Sequence, residues 1–195
     1  MIQSISCDMS PAFINGILSE FPNAKITFDK FHVIKIMSEA VDDIRKQEQS
    51  SIKELKNSKY LWLKNEGNLS EKQKERFLDL KNQNLKTVRA YNVKLSLQEF
   101  WNSKNRKEAT QYLKKWYFWA TNNRLTPITE AANTVKKHWD GMLNYFDSKI
   151  NNGILEGINS IVQLQKRNAR SFKNVQCFIN IIYLKLGKLK FELPT

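Results

Sequence analysis

Three short stretches carry side chains able to do chemistry. In "SISCDMSP" Asp8 follows a short β-branched run, and the C-terminal end of a parallel strand is where α/β sheets place ligand-binding and catalytic groups. The same residue also reads as a turn or capping carboxylate, because an Asp side chain there readily accepts backbone N–H groups. In "ITFDKFH" Asp29 ends a second such run and His32 lies three residues on, a spacing that puts both on one side of a first helical turn, within hydrogen-bonding reach. The plainer alternative is an N-cap plus a surface histidine. In "NNGILEGINSIVQLQKRNAR" Glu156 stands between Gly153 and Gly157, at the head of a segment that turns basic at Lys166, Arg167 and Arg170. The helix dipole alone favours a carboxylate in a first turn. Glycine near a helix start, however, costs about 1 kcal/mol and needs a reason, such as the close approach of another backbone or a ligand.

Composition narrows the chemistry. Cys7 and Cys177 are too few for a disulfide framework and lack the spacing of a zinc site; each reads as a small buried hydrophobe. His32 and His138 are the two histidines of the chain, too few for a histidine cage, so any metal would be a hard ion of the magnesium kind held by carboxylates. The 32 Lys and Arg against 19 Asp and Glu leave a formal charge of +13, which points to a polyanionic partner, nucleic acid ahead of an acidic membrane surface. No apolar run approaches the roughly 18 to 20 residues that span a bilayer, and the N-terminus lacks the order of a signal peptide. The expectation is a cytoplasmic protein with no membrane partner.

The elements that must position these residues follow from patterning. "IQSISCD" and "AKITFD" read as strands, and between them Pro11 at a first helical position after Ser10 opens a helix with Phe13, Ile14, Ile17, Leu18 and Phe21 on one face. Strand, helix, strand in some thirty residues is a βαβ unit with parallel strands. From Phe31 onward helical spacing takes over, with Val33, Ile36, Met37, Ala40, Val41 and Ile44 on one stripe. Breaks at "NEGNLS", where Ser70 caps the next helix, at "NSKNR" and at "NNRLTPI" divide the stretch up to Lys149 into five or six helices. Trp62, Trp101, Trp116, Trp119 and Trp139 fall in this middle region with Tyr91, Tyr112 and Tyr117, most of them expected in the core. A helix from about Asn152 buries Ile154, Leu155, Ile158, Ile161 and Val162, leaving Glu156, Asn159, Gln163, Arg167 and Arg170 on the other side. The fold class is mostly α with a small α/β part.

The order "SCDMSPAFINGI", "FPNAKITFDKFHVIK" and, far downstream, "SKINNGILEGINSIVQLQKRNARSFKN" with "FINIIYLKLG" resembles bacterial insertion-sequence transposases of the DDE class, most closely the ISL-three family, over nearly the whole chain. The resemblance implies an incomplete ribonuclease H-like domain. Residues 1–48 would be its N-terminal βαβ remnant, 49–148 a large helical insertion, and 149–195 a C-terminal helix pair that completes the core. It implies Asp8 and Glu156 as catalytic, metal-holding carboxylates, with Asp29, His32, Asn152, Gly153, Gly157 and Asn159 near the site. Lys166, Arg167 and Arg170 would bind DNA phosphates. Two Mg2+ ions about 4 Å apart would serve an in-line phosphodiester displacement.

The resemblance also implies parts that precede Met1: a first catalytic Asp, a zinc-binding segment and a helix-turn-helix. The expectation is therefore a truncated transposase, inactive alone, with an unpaired apolar sheet edge. Its partners would be the DNA ends of an insertion sequence and a second copy of itself or an intact transposase. A non-enzymatic basic DNA-binding or assembly protein that modulates an intact transposase is the alternative.

Overall fold

The computed structural model describes residues 2–150, 153–169 and 174–187, without the side chains of 153–156. Strands β1 (Ser4–Cys7) and β2 (Lys25–Phe28) flank helix α1 (Pro11–Glu20) and pair in parallel, Ser4 opposite Lys25 through Cys7 opposite Phe28. The βαβ unit is the one the β-branched runs predict. Its helix differs from expectation in two ways. Ser10 occupies the N-cap position without using its hydroxyl there, and α1 buries none of its residues. Phe13 and Leu18 are exposed, at 59% and 50%.

Beyond β2 the chain is helical. Helix α2 (Lys30–Gln49) buries Val33, Met37, Ala40, Val41 and Ile44, a stripe at helical spacing. It forms the centre of a block that continues through α3 (Lys59–Leu63), α4 (Glu71–Lys81), α5 (Lys86–Glu99), α6 (Arg106–Thr121), α7 (Thr126–Lys137) and α8 (Trp139–Ser148), with short 3-10 turns between some of them. That is more helices than the five or six expected, because α7 gives way to α8 at His138 with no glycine or proline to announce it. Ser70 does cap α4: its hydroxyl accepts from Gln73 N–H while the Gln73 side chain accepts from Ser70 N–H, two orphan donors satisfied reciprocally.

Aromatic packing sets the middle of this block. Trp62, Phe77 and Tyr91 are fully buried and meet edge-on or tilted, with centroids 5.4 to 5.7 Å apart. Each such pair contributes about 0.5–1.5 kcal/mol beyond its buried area. Trp116 is also core and Trp101 and Trp139 pack against it, whereas Trp119 stays exposed. Lys94 is buried among these rings: its ammonium donates to the carbonyls of Trp62 (2.7 Å) and Leu63 (3.1 Å), at the end of α3, and lies 5.2 Å from the Tyr91 ring centre.

Helix α8 joins the block to the βαβ unit. Asn144 donates to the Ile26 carbonyl (2.8 Å), Ser148 Oγ meets Thr27 Oγ1 at 3.2 Å, and Lys25 pairs with Asp147 at 3.6 Å. Phe28 lies directly on Gly141, where any Cβ would run into its ring.

Contacts divide the chain into Met1–Asn151 and Asn152–Thr195. In the second unit α9 (Gly153–Asn168) packs against α10 (Val175–Leu186). Ile158 and Val162 are half-buried there as the stripe requires, but Ile161 is exposed; Ile154 and Leu155 lie outside the described side chains. Two helices offer each other one narrow seam, too little to cover a three-residue-wide stripe. Cys177 is exposed and Cys7 half-buried, against the expectation of two buried thiols.

Burial of Lys94 pulls its pKa down from 10.5 to about 8. The unfolded chain therefore holds the extra proton between these values, so this group's contribution to stability rises with pH through that window. Urea melts of the parent and Lys94→Met should diverge in slope between pH 8 and 10.5, the parent gaining relative to the variant; parallel curves would mean that the ammonium is not desolvated.

Candidate functional site

Three elements converge on one cleft of about 310 Å³. The loop after β1 contributes Asp8 and Ser10, α2 contributes His32, Lys35 and Glu39, and the end of α7 contributes Thr134 and His138. Asp8 Oδ1 accepts the Ser10 N–H at 2.7 Å, so the turn role foreseen for this carboxylate is real. It uses one oxygen, and among the described residues no hydrogen bond to Oδ2 occurs. The neighbouring Cys7 thiol is pushed up in pKa by burial and then by the Asp8 charge, which keeps it protonated and a poor metal ligand.

Asp29 caps α2. Its Oδ1 accepts the Phe31 N–H at 3.2 Å, and its Oδ2 lies 3.0 Å from His32 Nδ1, so the capping and hydrogen-bonding readings of "DKFH" both hold. The carboxylate is itself buried, and because it can only accept, it holds the ring through the Nδ1 proton. Asp29 does not line the cleft; it orients a residue that does. Lys35 and Glu39 are 4.0 Å apart and largely exposed, a pairing of little energetic weight.

His138 was not singled out by sequence reasoning, which counted it only as one of too few histidines. It ends α7 and begins α8 with φ −108° and ψ 12°, its N–H donating to the Val135 carbonyl and its carbonyl accepting from Met142 N–H. The Phe28 ring meets it edge-on, with centroids 5.0 Å apart. Burial, then the Lys137 charge, lower its pKa, so the imidazole is neutral at physiological pH. The signal that could have found it is rarity: both histidines of the chain line the cleft that holds Asp8.

Among the described residues no group of three or more His, Cys, Asp or Glu side chains is arranged to hold a metal ion. Asp8 is a suitable hard donor, but a magnesium site needs carboxylates from beyond the described residues. The C-terminal candidates divide similarly. Gly157, Asn159, Lys166 and Arg167 are exposed on α9, and a Cβ at Gly157 would meet no atom within 4 Å. The Glu156 side chain, Gly153, Asn152 and Arg170 lie outside the described residues or side chains.

A family model described as a transposase, of the ISL-three type, matches residues 1–182. The chain belongs to the ISL-three family of transposases. The transposase for insertion sequence element IS1001 of Bordetella parapertussis is 26% identical over 185 residues, 91% of this chain and 46% of that protein. The transposase for IS1557 of Mycobacterium tuberculosis is 24% identical over 221 residues, 99% of this chain and 50% of that protein. The chain thus spans about half the length of these curated relatives. No solved structure matches it. No helix among the described residues is long and apolar enough to cross a membrane.

The double use of Asp29 makes a direct test. Asp29→Ala is expected to lower stability by about 0.5–2 kcal/mol through the lost cap and to release the His32 ring, which would show as altered His32 imidazole signals in NMR spectra. Unchanged signals would mean that the carboxylate does not hold the ring.

Proposed function

We propose that this chain supplies part of the catalytic centre of a DDE transposase, acting in the cytoplasm on the DNA ends of an insertion sequence. The observation that carries the reading is Asp8, at the end of a parallel strand, in a cleft lined by both histidines of a chain that belongs to a transposase family, with one carboxylate oxygen unbonded among the described residues. In this reading the βαβ unit of residues 1–48 is a piece of a ribonuclease H-like core, 49–148 an inserted helical block, and 149–195 the segment bringing Glu156.

Asp8 and Glu156 are the carboxylates offered to divalent ions, Mg2+ in this reading, and Asn152, Gly153, Gly157 and Asn159 flank the second of them. Such ions, when bound, lend Lewis acidity to the attacking and leaving oxygens of a phosphodiester. The protein's own residues do the rest. Asp29 holds the His32 ring, through Nδ1, in the lining of the cleft. Lys166, Arg167 and Arg170 neutralise phosphates of the flanking DNA, positioning the strand without reading its sequence. A second copy, or an intact transposase, is the protein partner the reading calls for.

In the full-length protein, Asp8→Asn and Glu156→Gln should each lower cleavage of DNA carrying the insertion-sequence ends by roughly a thousandfold, about 4 kcal/mol of transition-state stabilisation, while binding is retained. Undiminished cleavage by either variant sinks the assignment of that residue.

Binding gives an independent check. Removing one phosphate-neutralising cation, as in Lys166→Ala or Arg167→Ala, should flatten the dependence of log affinity on log salt by about 0.9. An unchanged slope in both variants would remove α9 from the DNA surface.

A further inference from the structure

The helical block reaches the Asp8 cleft at His138, and no hydrogen bond to its ring nitrogens occurs among the described residues. Its contacts are of another kind: the edge of Phe28, and backbone bonds that lock the α7–α8 junction. The other histidine is committed through Nδ1 to Asp29. His138 thus places an imidazole, with an N–H to give, in the lining of the cleft that also holds Asp8. Thr134, one turn earlier on α7, shares that lining, and Lys35 faces the cleft from α2. A core histidine is ordinarily satisfied by protein groups; this one is half-buried and lines a cleft where the proposed substrate is an anion.

We propose that His138 is a substrate-binding residue of this site, its imidazole N–H donating to a phosphodiester oxygen of DNA lying across the Asp8 cleft. The inference rests on the reading of the cleft as a DNA-processing site and extends it. The helical block, and not the βαβ unit alone, would supply a group that touches substrate. The packing explains how the contact is kept in place. Phe28 immediately precedes Asp29 in the chain and presses on both His138 and Gly141, so the strand end that orients His32 also fixes the wall carrying His138.

The chain has two histidines, so its imidazole NMR signals are assignable with His32→Gln and His138→Gln variants. A short DNA duplex titrated into the 195-residue chain should shift the His138 ring signals. His138→Phe, which keeps a ring against Phe28 and loses the donor, should bind the duplex about three- to tenfold more weakly, and His138→Gln should recover part of the deficit. The proposal is overturned if the His138 signals stay fixed while the duplex saturates the protein, or if a folded His138→Phe binds as tightly as the parent. Either result leaves the Asp8 and Glu156 reading standing. If His138→Phe does not fold, the signal shift in the parent chain decides alone. A chain that binds no DNA at all overturns the His138 contact, while the Asp8 and Glu156 reading stands or falls on cleavage by the full-length protein.

Discussion

A two-stranded parallel sheet cannot hold itself together in water, and here the covering of its β2 edge by α8 makes the rest possible. The Ile26 carbonyl points out of the sheet, and a backbone acceptor left buried without a partner costs about as much as a lost hydrogen bond. Asn144 supplies that partner from α8, while Thr27 and Lys25 meet Ser148 and Asp147 on either side. Phe28 completes the seal by lying on the one residue of α8 that has no side chain to displace it. With β2 so fixed, the residue after it, Asp29, begins α2 in a defined direction, and α2 carries both the centre of the helical core and one wall of the cleft.

What the sequence made legible was local. The strands, the proline-led helix, the Asp29 cap and the Ser70 capping box depend on neighbours within a few residues, and their side-chain chemistry states them openly. The motif around Asp8 and the Asp29–His32 pair also read correctly as geometry, since three residues on a helix is a fixed displacement. The docking of α8 on β2 was not legible, because it joins residues more than a hundred positions apart and Asn144 looks like any other polar helix residue. For the same reason His138 escaped notice: its meaning comes from Phe28 and Asp8, neither of which is near it in the chain. The apolar face of α1 misled in the opposite direction, since periodicity announces a face to be covered without saying by what. The proposed joint role of Glu156 and Asp8 involves a side chain beyond those described, and it rests on the family resemblance alone.

The distribution of ionic contacts fits a molecule whose surplus charge is kept available. Arg45 is taken up by Asp42 at 2.7 Å, both of them buried, and Lys46 and Lys59 gather round the same carboxylate. Asp42 is consequently held below the usual carboxylate range despite the opposing effect of burial. Arg106 is engaged by Asp147 and Asn144 beside the sheet. Lys166 and Arg167 are exposed on α9.

The bond from Asn144 to Ile26 spans 118 positions of chain. Closing so long a loop carries a large entropic cost that no local contact offsets in advance, whereas α2 and α5 must bridge a much shorter separation to bury their shared apolar surface. Folding should accordingly run inward from the helices, with the sheet edge sealed late. Hydrogen exchange would then register protection in α2 and α5 before β2. The seam between α8 and β2, the last contact to form, would be the part of Met1–Asn151 that opens first under strain.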